Sequence, residues 1–225
     1  MFRQKHAKKR SRILTPGGRG LKADALLYLL MAAACALALG GRALAVGDPG
    51  VGERKFEACA PCHTAAPGAA PDRQQAVPKL GGQHARYIVS ALEAYAKGER
   101  REPAMQGIVA ALADQDREDL AAYVARFELK QFPVRRSDRP ATLLERKLES
   151  CRICHGAGGN SFAPVYPRLN GQDESYLLKA LGDYRNGTRT NPTMAFVVKE
   201  LSEKEMAELA AYYAGQREGL THIAR

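Results

Sequence analysis

Two stretches of this chain are spelled alike, Cys59-Ala60-Pro61-Cys62-His63 and Cys151-Arg152-Ile153-Cys154-His155, and nothing else restricts its fold as much. Two thiols three positions apart can each add across one vinyl group of a haem. The histidine that follows is then held beneath the iron as its proximal ligand. Cys59, Cys62, Cys151 and Cys154 are therefore candidate attachment residues, with His63 and His155 as candidate metal ligands. Three other readings of this spacing are weaker. A thioredoxin-like redox pair needs no following His and expects a βαβ context, which the sequence lacks. A zinc centre gathers four ligands at one place, whereas these motifs stand 92 residues apart. A structural disulfide would not repeat the histidine. The motifs imply two covalent haems.

The likeness extends into an internal repeat. Pro78-Lys79-Leu80-Gly81-Gly82-Gln83 matches Pro167-Arg168-Leu169-Asn170-Gly171-Gln172 at an offset of 89. The same offset carries Tyr87 to Tyr176, Tyr95 to Tyr184, Gly98 to Gly187, Pro103 to Pro192, Met105 to Met194 and Tyr123 to Tyr212. From Pro78 to Ala125 the copies agree at 19 of 48 positions without a gap, which marks a duplicated domain. The expected modules are 46–134 and 135–225, with a solvated seam at Phe132-Pro133-Val134-Arg135-Arg136-Ser137-Asp138-Arg139-Pro140.

Each module reads as all-α. Short helices over Glu53–Ala58 and Leu143–Ser150 lead into the two motifs. His84–Lys97 sets Tyr87, Ile88, Ala91, Leu92 and Tyr95 on one helical face, and Asp173–Arg185 repeats the pattern. Gly98 and Gly187 follow as helix stops. The last helices are expected near Asp116–Phe127 and Glu203–Tyr213, the second opened by a capping box of Ser202 and Glu205. No alternating apolar run suggests a sheet. Cores of domains this small are marginal, so a haem is expected to supply much of each interior.

Residues 1–45 read as an export signal. A basic segment from Arg3 to Lys22 precedes the apolar run Ala25–Gly41, and Ala43-Leu44-Ala45 offers a cleavage site. The alternative is an uncleaved anchor, for which that run is short. Nine of the 34 Lys and Arg, and one of the 24 acids, fall within residues 1–45, so cleavage lowers the net charge from +10 to +2. Nucleic-acid binding needs a clustered basic face, and the balanced remainder offers no reason to expect it. Export implies the periplasm. With the four remaining cysteines assigned to haem, no structural disulfide is expected.

The ligand on the far side of each iron decides between carrier and enzyme. Met105 and Met194 are repeat-related and each follows a proline by two positions, in Pro103-Ala104-Met105 and Pro192-Thr193-Met194. A loop between helices would bring each down on the face opposite its histidine. Met206 aligns with Arg117 and reads as surface filler, His84 as a solvated side chain at a helix start, and His222 as part of a tail without a counterpart. The loop Thr64–Val77 is longer and more polar than Gly156–Tyr166, so the first haem is expected to be wetter and lower in potential.

The run Cys151-x-x-Cys154-His155-Gly156-x-x-Gly159-x-Ser161, then Pro167-x-Leu169-x-Gly171-Gln172, Tyr176-Leu177, Tyr184-Arg185-x-Gly187-x-Arg189, Met194 and Leu209-Ala210-Ala211-Tyr212 resembles the dihaem cytochrome c4 family. The resemblance spans the expected mature chain and is closer in the second half; the first has Thr64 where Gly156 stands. It implies tandem class I cytochrome c domains about a pseudo-twofold axis, each around one haem c, with the Pro78 and Pro167 carbonyls accepting from His63 and His155. It also implies a non-enzymatic periplasmic electron carrier, peripherally associated with the membrane. Its partners would be respiratory complexes, a terminal oxidase and a cytochrome bc complex. Two alternatives stand: an electron-accepting subunit of a periplasmic dehydrogenase, and a dihaem peroxidase-type enzyme, in which one haem would need an open position.

Overall fold

A computed structural model describes residues 47–64, 77–131 and 141–223, with backbone alone for 141–144. The expected leader, the seam over 132–140 and most of the loop 64–77 lie outside these residues. Among the described residues the regular elements are helices, apart from one pair of two-residue strands. None of their helices is long and apolar enough to cross a membrane.

The first module contains α1 (Pro49–Lys55), a 3-10 turn (Phe56–Ala58), α2 (Ala60–His63), α3 (Ala85–Ala96), α4 (Pro103–Val109) and α5 (Asp114–Ala125). The Asp48 carboxylate starts α1 by accepting from the Gly50 and Val51 N–H groups, with Pro49 in the first turn, where its missing N–H costs nothing. The helix lies tight against α5: a Cβ on Gly52 would sit 2.0 Å from the Asp119 carbonyl oxygen, so only glycine permits the crossing. Lys55 then reaches Asp119 at 2.7 Å and fixes the pair.

The second module repeats the plan with α6 (Ala141–His155), a 3-10 turn (Ala157–Gly159), α7 (Glu174–Arg185), α8 (Pro192–Lys199) and α9 (Glu203–Ala214). The α9 capping box is formed, with Ser202 Oγ accepting from the Glu205 N–H at 3.2 Å and Glu205 accepting from the Ser202 N–H at 2.8 Å. Gly98 and Gly187 end α3 and α7 with φ of +72° and +78°, the left-handed turn that glycine enters without a Cβ clash.

Phe56, Ile88, Leu120, Tyr123 and Val124 centre the first core, and Leu148, Leu177, Val198, Leu209 and Tyr213 the second. Met206 belongs to the second core, contrary to its reading as surface filler. The aligned Arg117 explains the error. Its side chain is only 14% exposed, with the guanidinium turned back to the Leu112 carbonyl and Asp114. The position faces inward in both modules, and arginine fills it with its aliphatic stem.

The segment after α9 crosses to the first module. Strand β1 (Lys130–Gln131) pairs antiparallel with β2 (Glu218–Gly219), and Thr221 exchanges two backbone hydrogen bonds with Gly81. Leu220 and Ile223 are fully buried, and Ile223 is part of the first module's core.

Candidate functional site

A cavity of about 420 Å³ runs through both modules and is walled by all eight residues singled out from the sequence: Cys59, Cys62, His63 and Met105, with Cys151, Cys154, His155 and Met194. The histidines are buried, and in each the Nδ1–H donates to a proline carbonyl, His63 to Pro78 at 3.1 Å and His155 to Pro167 at 2.9 Å. A carbonyl can only accept, so it fixes the proton on Nδ1 and leaves the Nε2 lone pair for the cavity. Burial pushes both imidazole pKa values down, outweighing the carbonyl's opposite pull. A neutral ring with a fixed tautomer is what a metal-ligating histidine requires. Burial likewise pushes the Cys59 thiol up to about 11 and raises that of Cys151. None of the four cysteines is in a disulfide.

The two methionines that line the cavity sit in the first turns of α4 and α8, not on loops as their positions after proline suggested. Proline occupies the first helical position of each. Asn191 caps α8 by accepting from the Met194 N–H at 3.0 Å, so that side chain springs from an ordered turn.

The wall between the modules repeats itself in every detail of its glutamines. The Gln83 amide donates to the Arg168 carbonyl and accepts from the Arg168 N–H, at 3.0 and 2.9 Å. Gln172 does the same to Lys79, at 3.0 and 2.8 Å. Lys79 in turn donates to the Gly171 carbonyl, and Arg168 to that of Gly82. Arg100 and Arg189, also 89 apart, form an antiparallel bridge flanked by hydrogen bonds from Arg101 to Thr188 and from Thr190 to Glu99.

Both arginines are buried against tyrosines: Arg100 meets the Tyr87 hydroxyl at 3.0 Å and Arg189 that of Tyr176 at 3.3 Å. Among the described residues no carboxylate lies within ion-pairing distance of Arg100, although an uncompensated buried ion costs several kcal/mol. The position is suited to an anion entering from the cavity. A haem fits on all counts, with vinyl groups for the thiols, iron for imidazole and thioether, and two carboxylates for the guanidinium groups.

Sequence reading missed the roles of Gln83, Gln172, Arg100 and Arg189. A signal was present, since each pair keeps a polar side chain at the repeat offset. His84 is another correction. Its Nε2 lies 2.8 Å from the Ser161 carbonyl of the second module, and burial lowers its pKa, so it is an inter-module contact and not a solvated side chain. His222 is half-buried beside Asp173 at 3.5 Å.

Comparison with known proteins agrees with this geometry. The family model for cytochrome c matches residues 51–127. Cytochrome c4 of Azotobacter vinelandii is 31% identical over 85% of this chain and 98% of that protein. The thiosulfate dehydrogenase electron acceptor of Stutzerimonas stutzeri is 33% identical over 72% of this chain and 81% of its own length. The crystal structure of reduced cytochrome c4 from Pseudomonas stutzeri superposes with a TM-score of 0.60 at 31% identity, covering 76% of this chain and 99% of that one.

Proposed function

The chain belongs to the cytochrome c4 family, dihaem electron-transfer cytochromes with covalent haem c, and on that premise we propose that each module holds one haem between a histidine and a methionine. Cys59 and Cys62 carry the first haem as thioethers, with His63 and Met105 on its iron. Cys151 and Cys154 carry the second, with His155 and Met194. The modules are 46–134 and 135–225. The bound iron supplies a one-electron couple. The protein supplies two fixed ligands, so that an electron comes and goes without a ligand being gained or lost. Methionine on one side raises the potential. The chain is an electron carrier, not an enzyme.

The observation that carries the ligand assignment is the pair of histidines locked to proline carbonyls in the wall of a cavity that repeat-related methionines also line. The test is carbon monoxide binding. Both reduced haems are expected to stay six-coordinate and low-spin and to bind the gas slowly or not at all. Rapid binding of one equivalent to the native protein would rule out paired His/Met ligation.

The electrons are delivered in the periplasm to a terminal oxidase. A second reading, that the chain accepts electrons from a periplasmic dehydrogenase, is favoured by the relative described as a thiosulfate dehydrogenase electron acceptor. Reduction of the purified cytochrome by a candidate dehydrogenase, compared with its oxidation by membranes from the same cells, distinguishes an upstream partner from a downstream one.

A further inference from the structure

The inter-module wall is symmetric in its backbone but not in its charge. In the first module the Ala94 carbonyl accepts from the Arg100 N–H at 3.0 Å, and in the second the Asp183 carbonyl accepts from the Arg189 N–H at 2.9 Å. Ala94 and Asp183 are repeat equivalents, so the two arginines leave matching positions on matching backbone. Their side chains meet different company. Arg189 Nε lies 3.3 Å from the Asp183 carboxylate, which also takes Lys179 at 2.7 Å. Lys179 continues to Glu102 of the first module at 3.6 Å. These four charges around Arg189 sum to zero. Around Arg100 the equivalents of Asp183 and Lys179 are Ala94 and Ser90, and its hydrogen-bonding side-chain partner is the neutral hydroxyl of Tyr87. Among the described residues, one buried cation is therefore matched by protein carboxylates and the other is not.

We propose that Arg100 and Arg189 each bind a carboxylate of the haem in their own module, and that Asp183 makes the two sites unequal by competing for Arg189 alone. The inference rests on the haem assignment above. Arg100 gives its whole positive charge to the first haem, whereas Arg189 shares its charge with a fixed carboxylate. A positive charge near the iron favours the ferrous state and a negative one opposes it. Asp183 thus holds the second potential below the value its ligands would otherwise set, while the first haem has no such brake. If the longer polar loop lowers the first potential, Asp183 narrows the gap between the haems.

The test is a spectroelectrochemical titration of the dihaem protein as wild type and as Asp183→Asn, Ala94→Asp and Arg100→Gln variants, each wave assigned to its haem by haem-methyl NMR. Asp183→Asn is expected to shift the second haem about tenfold toward the reduced form, equal to 59 mV for one electron, and the first haem far less. Ala94→Asp should shift the first haem toward the oxidised form, and so should Arg100→Gln. A second wave that does not move in Asp183→Asn, or two waves that move equally, overturns the inference. If Asp183→Asn does not fold, Ala94→Asp decides alone, and an unmoved first wave overturns the inference. Haem content and low-spin spectra of the same samples separate the two layers. A wild type lacking low-spin iron defeats the ligand assignment, whereas intact spectra with unmoved potentials defeat only the role of Asp183.

Discussion

In the first module the histidine, its proline carbonyl and the methionine share the cavity with an arginine that meets no carboxylate among the described residues. In the second, the same side chains face a cavity whose arginine already has one. The contrast continues outward. Ile153 and Phe162 stand 83% and 94% exposed near Cys154, and Phe196 is 75% exposed on α8, where the first module has Gly107. Ile153 likewise corresponds to Pro61 in the first motif. The first module instead receives Ile223 from beyond α9 and makes no matching gift in return among the described residues. Duplication has kept the side chains proposed to hold the iron and released what surrounds them. Differences between the two sites should therefore be sought in charge and covering, not in ligands.

The strongest way to break that comparison is to remove its common term. Met105→His and Met194→His should each lower one potential by on the order of 0.2 V, a fraction of the roughly 0.8 V that axial ligands control, and leave the other wave nearly in place. Two waves displaced by one substitution would mean that the haems do not act as separate ligand sets. Next in size is the asymmetric tail. Ile223→Ala should cost about 3 kcal/mol, as expected for emptying a fully buried site. The loss should fall on the first module, read as faster hydrogen exchange in α3 and α5 with α7 unchanged. Equal acceleration in all three helices would show one cooperative core instead.

The glutamine clasp sharpens the comparison from the symmetric side. Gln83→Ala and Gln172→Ala each remove two inter-module hydrogen bonds, and each should cost about 2 kcal/mol in denaturant unfolding. A gap between them larger than about 1 kcal/mol would show that the pseudo-twofold wall is energetically lopsided. The smallest effect concerns acid. Burial alone would raise the Asp119 pKa, but Lys55, Gln115 and the Asp48 N–H donate to its carboxylate and hold it below the ordinary range. A depressed folded-state pKa contributes stability above the unfolded value of about 3.9, and that stability is lost as pH falls through the folded value. Asp119→Asn should therefore flatten the acid limb of the first module's stability curve below about pH 4, leaving the neutral plateau as its new, lower baseline. An unchanged acid limb would remove Asp119 from the account.

How far these arrangements can be read from sequence depends on whether a signal is local. The Cys and His pairs are contiguous, and α3 and α7 carry tyrosines and aliphatics at helical spacing over twelve residues each, so both were legible. Helices α4 and α8 have only seven and eight residues and open on proline, too short for a periodic stripe, which is why Met105 and Met194 looked like loop residues. The contact between His84 and Ser161 joins residues 77 apart in different modules, and no local pattern announces it. Leu220 and Ile223 are two apolar residues in a short polar stretch without a period. Gln83 and Gln172 were visible as repeats, but their amides acquire meaning only once the modules face each other.

The crossing tail has a consequence for the order in which the protein is made. A chain is synthesised from its N-terminus, so the first motif emerges well before the second. Yet the socket for Ile223 lies in the earlier half, and the strand that closes over Lys130 and Gln131 comes from the far end. The half that appears first is finished last. Until the final segment arrives, the early module presents an open apolar socket and an unpaired strand edge beside its fresh thiols. The duplicated halves thus complete in the reverse of their order of birth, and a truncated chain ending within α9 would leave its older half immature.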